Sequence, residues 1–139
     1  MLAIGQSASF GKTISETDIY LFAGVVGDFN GIHINQVSAQ KSIYGQRIAH
    51  GFLAGGLIST AIGMYLPGTG TIYKSQNLNF RRPVMIGDTI TATVKIVEIL
   101  DEKKGLYRLE TIAKNQNGEI VIDGEAVVKY KENQNESNQ

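Results

Sequence analysis

Two histidines, His33 and His50, are the only imidazoles in the chain, and both fall near the ends of the region that precedes a long apolar segment. Asp28 lies five residues before His33, with Asn30 between them. Imidazole titrates near neutral pH, and a nearby carboxylate shifts and orients it, so this pair could handle a proton. The spacing alone also fits an Asp that caps a turn beside a His that fills a surface pocket, the commoner outcome for such a pair. His50 is followed by Gly51 at the start of an apolar run. A helix beginning there would present unpaired backbone N–H groups and a partial positive charge. Gly51 would let a ligand approach them closely, and such a site could hold a carbonyl oxygen as it becomes an enolate. Equally, Gly51 could only relieve packing and His50 only bond a loop. Ser59, about two turns further on, could support a catalytic group or bond its own i−4 carbonyl.

These residues need elements to hold them. Residues 8–14 read as a first strand. Ser15, Glu16 and Asp18 start a helix that continues through Asp18–Val26 and stops at Gly27. Residues 28–35 (DFNGIHIN) read as a loop by their Asp, Asn and Gly content, and 37–43 as a short helix. The central helix runs from Gly51 to about Tyr65 and ends at the breakers Pro67, Gly68 and Gly70. Its apolar residues go around the whole helix, which predicts burial on all sides. The span 48–66 carries no charge beyond His50, but its glycines and Ser59 make it weak for membrane insertion, and it reads as a core helix.

From Thr71 the period changes to two. Residues 72–80 come first; Ile90, Ala92, Val94 and Ile96 alternate with polar residues; 106–114 follow; Ile120, Ile122, Gly124, Ala126 and Val128 share one face of the last strand. Alternation of this kind marks antiparallel strands with one buried face, and Asn117-Gly118 is a hairpin signal. The expected class is α+β: an antiparallel sheet of about five strands wrapped around one long central helix. Its open edges would be protected by pairing with a second copy, so a homodimer through the sheet edges is expected. Residues 1–131 form a single domain on this reading, and the polar stretch 132–139 is expected to be disordered.

Composition narrows the chemistry. The chain has 139 residues, 42% hydrophobic and 19% charged, ordinary for a globular protein. It has no cysteine, which excludes thiolate catalysis, disulfides and Cys-based metal centres. Thirteen basic residues balance thirteen acidic ones, so nothing global steers it to nucleic acid or a membrane surface. No signal-peptide pattern opens the chain, and the cytoplasm is the expected location.

The residues 28–33 (DFNGIH), then 49–53 (AHGFL) opening a Gly/Ala-rich helix, resemble the MaoC-like (R)-specific enoyl-CoA hydratases of the hot-dog fold. The segment Asn79-Phe80-Arg81-Arg82-Pro83-Val84, with Gly87-Asp88 after it, looks like the family's F-x-x-P-V-x-x-G-D stretch. The resemblance covers roughly residues 5–130. It implies that Asp28 and His33 bind and activate one water, that the Gly51 amide meets the thioester carbonyl, and that Ser59 supports the site. Asn30, His50 and Ile62 are further supporting or pocket candidates, and Ile58 and Met64 either line an acyl pocket or only face the sheet. Many members have Pro where this chain has Gly31, which leaves the loop freer.

The implied reaction is hydration of a trans-2-enoyl-CoA to the (R)-3-hydroxyacyl-CoA, and its reverse. Asp28 would take the proton of water and His33 would deliver one to C2, though sequence leaves open which is formally the base. No metal or organic cofactor is implied. Rival readings are an acyl-CoA thioesterase or an acyl-carrier-protein dehydratase on the same fold, and a non-catalytic thioester-binding module. Arg81, Arg82, Lys103 and Lys104 are candidates to meet CoA phosphates, with a solvated turn the plainer role for the two lysines.

Overall fold

The computed structural model describes residues 2–132; the expected tail beyond Glu132 lies outside the described residues. Strand β1 (Ser7–Thr13) leads into helix α1 (Glu16–Val26). Ser15 caps α1 by accepting from the Asp18 N–H at 3.1 Å, while the Asp18 carboxylate accepts from the Ser15 N–H at 2.9 Å. This reciprocal capping box satisfies two donors that a helix start leaves orphaned. Gly27, at φ 80°, closes the helix in the left-handed region.

Residues 28–35, expected as a loop, contain a one-turn helix α2 (Gly31–Ile34), followed by α3 (Gln36–Gln40). The reason is local: the Asn30 carboxamide oxygen accepts from Ile32 N–H at 3.1 Å, and that of Asn35 from Ser38 N–H at 3.0 Å. Each Asn serves as an N-cap, which composition alone reads as loop.

Helix α4 (Gly51–Thr60) continues as a π-helical turn, Ala61–Tyr65. It lies across β1, β4 (Thr89–Asp101) and β5 (Leu106–Lys114). Ala54, Leu57, Ile58, Ala61 and Ile62 are buried against the sheet. The expectation of burial all round fails on the other face, where Phe52 is 66% exposed and Ser59 and Met64 are also exposed in the single chain. The sheet covers only one side of the helix. Among the described residues, no helix is long and apolar enough to cross a membrane.

With β2 (Ile72–Gln76), β3 (Asn79–Phe80) and β6 (Ile120–Lys129), the sheet has six strands rather than five, in the order β1-β4-β5-β6-β2 with β3 also paired to β6, all antiparallel. The stretch 72–80 splits into β2 and β3. Between them the Asn77 backbone presses onto Gly124 of β6, where no side chain would fit. Ile90, Ala92, Val94 and Ile96 are fully buried, as their alternation predicts. The last strand departs from the expected alternation. Its pairing skips from Ile122 to Ile120, so Val121 as well as Ile122 is buried and Ile120 is 37% exposed. An irregularity of this kind reverses which side chain faces the core.

Candidate active site

The loop after α1, the α2 turn and residues 47–50 meet at the N-terminus of α4, and their hydrogen bonds fix two imidazole rings. His33 Nδ1 lies 2.7 Å from the Ile48 carbonyl oxygen, and His50 Nε2 lies 2.9 Å from the Asp28 carbonyl oxygen. A carbonyl only accepts, so both of these nitrogens carry hydrogen. In the neutral rings the lone pairs therefore sit on His33 Nε2 and His50 Nδ1. The two rings stack, with centroids 3.9 Å apart, and Phe22 packs on the far ring at 4.8 Å from His50. His50 is 3% exposed, and its Nδ1 is buried without a hydrogen-bond partner.

Asp28, His33 and His50 each bring one donor atom to within 4.8 Å of the others. Asp28 is exposed and His33 half-buried, so both reach a cleft of about 600 Å³ that Phe22, Val26, His50, Gly51 and Phe52 also line. Asp28 Oδ1 additionally accepts from the Asn30 N–H at 3.2 Å, which holds the carboxylate near the start of α2. The same three residues are of the types that could hold a divalent cation. The Ile48 carbonyl anchors the His33 ring from outside the loop that carries Gly31.

Gly51 is the first residue of α4, and the His50 side chain makes no cap bond there. Among the described residues, no acceptor meets the Gly51 N–H. It thus carries the free donor character of a helix N-terminus into the cleft. A Cβ on Gly51 would lie 2.6 Å from the Phe80 ring, so glycine lets that ring close the site. A second cleft of about 460 Å³ adjoins the first through His33, Gly51 and Phe52, and carries Tyr44, Arg81 and Arg82 on its wall. Arg81 is paired with Asp123 through two bonds of 3.0 and 3.2 Å, and Arg82 with Glu119 at 3.0 Å. The Arg81 pairing holds the Asp123 carboxyl below its ordinary range, chiefly through the hydrogen bond.

The other sequence candidates fall elsewhere. Ser59 lines a third groove with Gly55, Gly56, Tyr73 and Leu78, joined to the cleft by Phe52 and Phe80. Asn30 serves as the cap of α2, placing His33 rather than facing the cleft with its carboxamide oxygen. Ile58 and Ile62 are in the core. Lys103 and Lys104 sit in the β4–β5 turn, where Lys103 lines a separate cleft with Leu2 and Tyr130. Sequence reasoning missed the Ile48 carbonyl and the Arg47 guanidinium beside it. No residue type signals a backbone oxygen that reaches 15 positions back along the chain.

Comparison with known proteins follows the same lines. The chain is 52% identical over 126 residues to an (R)-specific enoyl-CoA hydratase of Rhodospirillum rubrum, covering 89% of this chain and 85% of that protein. It is 41% identical to a 3-hydroxybutyryl-CoA dehydratase of Methylorubrum extorquens, covering 92% and 80%. The solved structure of the R-hydratase PhaJ1 from Pseudomonas aeruginosa superposes with a TM-score of 0.90 at 43% identity, over 95% of this chain and 84% of that one. The family profile described as MaoC like domain matches residues 2–117. The chain belongs to the MaoC-like dehydratase domain family, with the hot-dog fold of its R-hydratase neighbours.

Proposed function

We propose that the protein adds water to trans-2-enoyl-CoA thioesters to give (R)-3-hydroxyacyl-CoA, and catalyses the reverse dehydration. One observation carries the reading: Asp28 and His33 come within 4.8 Å of each other in a cleft that Gly51, at the free start of α4, also lines. The names of relatives at 52% and 38% identity support the substrate class and stereochemistry.

The thioester carbonyl accepts from the Gly51 N–H, which draws electron density from C3. Asp28 accepts one hydrogen of the water and orients it. His33 Nε2, the lone-pair nitrogen of the neutral ring, takes the other proton as oxygen attacks C3. The electron pair of the double bond moves onto the carbonyl oxygen, where the helix N-terminus stabilises the enolate. The imidazolium then returns its proton to C2 as the carbonyl re-forms. One water is consumed and both groups end as they began. On this reading His33 rather than Asp28 takes the proton of water, an assignment that sequence left open, and His33 still delivers the proton to C2. The Arg81–Arg82 wall is the side on which the CoA phosphates would lie.

Hydration of crotonyl-CoA, followed by loss of enoyl absorbance and by chiral analysis of the product, tests the reading. The expected product is the (R)-3-hydroxy thioester with no free thiol. Thiol release would make the protein a thioesterase, and acyl-CoA binding without turnover a thioester-binding module.

We also propose a homodimer built on the β2 edge. Ile72 and Tyr73 on that edge, with Phe52 and Phe80 beside it, are 38–66% exposed in the single chain, and an uncovered edge invites pairing. A monomeric mass by light scattering at micromolar concentration would reject the dimer.

A further inference from the structure

Residues 47–50 run into α4 carrying three attachments, two on Ile48 and one on His50. The Ile48 carbonyl holds His33, the Ile48 N–H donates to the Ile32 carbonyl at 3.1 Å, and His50 holds the Asp28 backbone. The Ala49 N–H, in the same peptide as the Ile48 carbonyl, ties it to the Val84 carbonyl at 2.7 Å, and Arg47 ties the start of the segment to the two helices in front of it. The Arg47 side chain is only 11% exposed. Nε donates to Gln36 Oε1 at 3.0 Å, Nη1 to the Tyr20 hydroxyl at 2.7 Å and Nη2 to Glu16 Oε1 at 2.6 Å. The Tyr20 hydroxyl donates to the same Glu16 oxygen at 2.7 Å. Glu16 and Tyr20 belong to α1 and Gln36 opens α3, so the guanidinium spans both helices that flank the Asp28–His33 loop.

A surface ion pair contributes about 0–1 kcal/mol to stability, and that would be the ordinary role of such a residue. Two observations go further. The three bonds diverge to three acceptors on two elements, a fork that a lysine ammonium does not reproduce. Arg47 also directly precedes Ile48, whose N–H donates to Ile32 and whose carbonyl oxygen selects the His33 tautomer.

We infer that Arg47 is a positioning residue for His33. By tying the residue before Ile48 to α1 and α3, together with the Ala49–Val84 bond on the other side, it holds the ring orientation and the tautomer that leaves Nε2 as the base. The kinetic half of this inference rests on the hydratase reading above; the tautomer half stands without it.

The test compares Arg47→Met, Arg47→Lys and Gln36→Leu, each checked for native circular dichroism and melting. Crotonyl-CoA kinetics and ¹⁵N NMR of the His33 ring supply the readouts. For Arg47→Met, kcat should fall about tenfold or more with KM within about twofold, because a displaced base acts mainly on the transition state. The His33 nitrogen signals should move from one tautomer toward a mixture. Lysine should restore only part of the loss, and Gln36→Leu should give a smaller change in the same direction. A folded Arg47→Met protein with wild-type kcat, or with an unaltered His33 tautomer, overturns the inference. If Arg47→Met does not fold, Gln36→Leu and Tyr20→Phe decide it, and an unchanged tautomer in both overturns it. Absence of turnover in the wild type would reject the hydratase reading alone, since the tautomer comparison would still decide the role of Arg47.

Discussion

The sheet under α4 and the segment 28–50 in front of it are held by different physics. Across β4, β5 and β6 the buried residues are aliphatic almost without exception, and the buried hydroxyl of Thr111 is met by Gln76 at 2.9 Å. Burial of each large aliphatic side chain there is worth roughly 1.5–3 kcal/mol. In the segment 28–50 the organising contacts are hydrogen bonds to backbone oxygens, helix caps and one forked arginine, and His50 Nδ1 is left buried and unpaired. An unpaired buried polar atom costs about 1–3 kcal/mol. The sheet therefore provides stability, and the segment uses part of it to hold Asp28 and two imidazoles at a cleft that Phe22, Val26 and Phe52 also line.

This contrast predicts a separation of effects. Asp28→Asn and His33→Gln should each lower turnover by at least about 10²-fold, the usual loss for a general acid or base, while melting temperature hardly moves. Near-normal hydration by both variants would remove the pair from the mechanism. In the sheet, Leu109→Ala should cost about 2–5 kcal/mol of stability in denaturant melts, the range for a fully buried leucine, with kcat of the folded fraction unchanged. A large kcat loss there would blur the division between the two regions.

The smallest effect belongs to the cap of α1. The Asp18 carboxyl is held below its usual range chiefly by the Ser15 N–H, with Lys12 adding to it against partial burial. A lowered folded-state pKa stabilises above the unfolded value of about 3.9, and that stability is lost as pH falls through the folded value. The stability gap between wild type and Asp18→Asn, about 1 kcal/mol or less at neutral pH, should therefore shrink from pH 6 toward pH 3. A gap that widens on acidification would contradict the assignment.

The same division governs what could be read from the sequence. Period-two patterning works where one face of a strand is buried, and Ile90 to Ile96 follow it without exception. It fails at Ile120, because the slip in pairing around Val121 leaves no mark in the alternation. It also missed the break between β2 and β3, which depends on the Asn77 backbone meeting Gly124 across strands. In the polar segment, the meeting of Asp28, His33 and Gly51 at one cleft was legible through residue type and family resemblance. The α2 turn was within reach, since Asn30 ahead of Gly31-Ile32-His33-Ile34 is a residue type that caps helices. The anchors of the two imidazoles were not, because they are peptide oxygens brought close only by the fold.

That last feature bears on how the site can drift over evolutionary time. Every residue type supplies a carbonyl, so exchanging the side chain at position 48 leaves the His33 anchor chemically intact. The constellation is inherited with the path of the main chain, and mutations erode it by shifting that path.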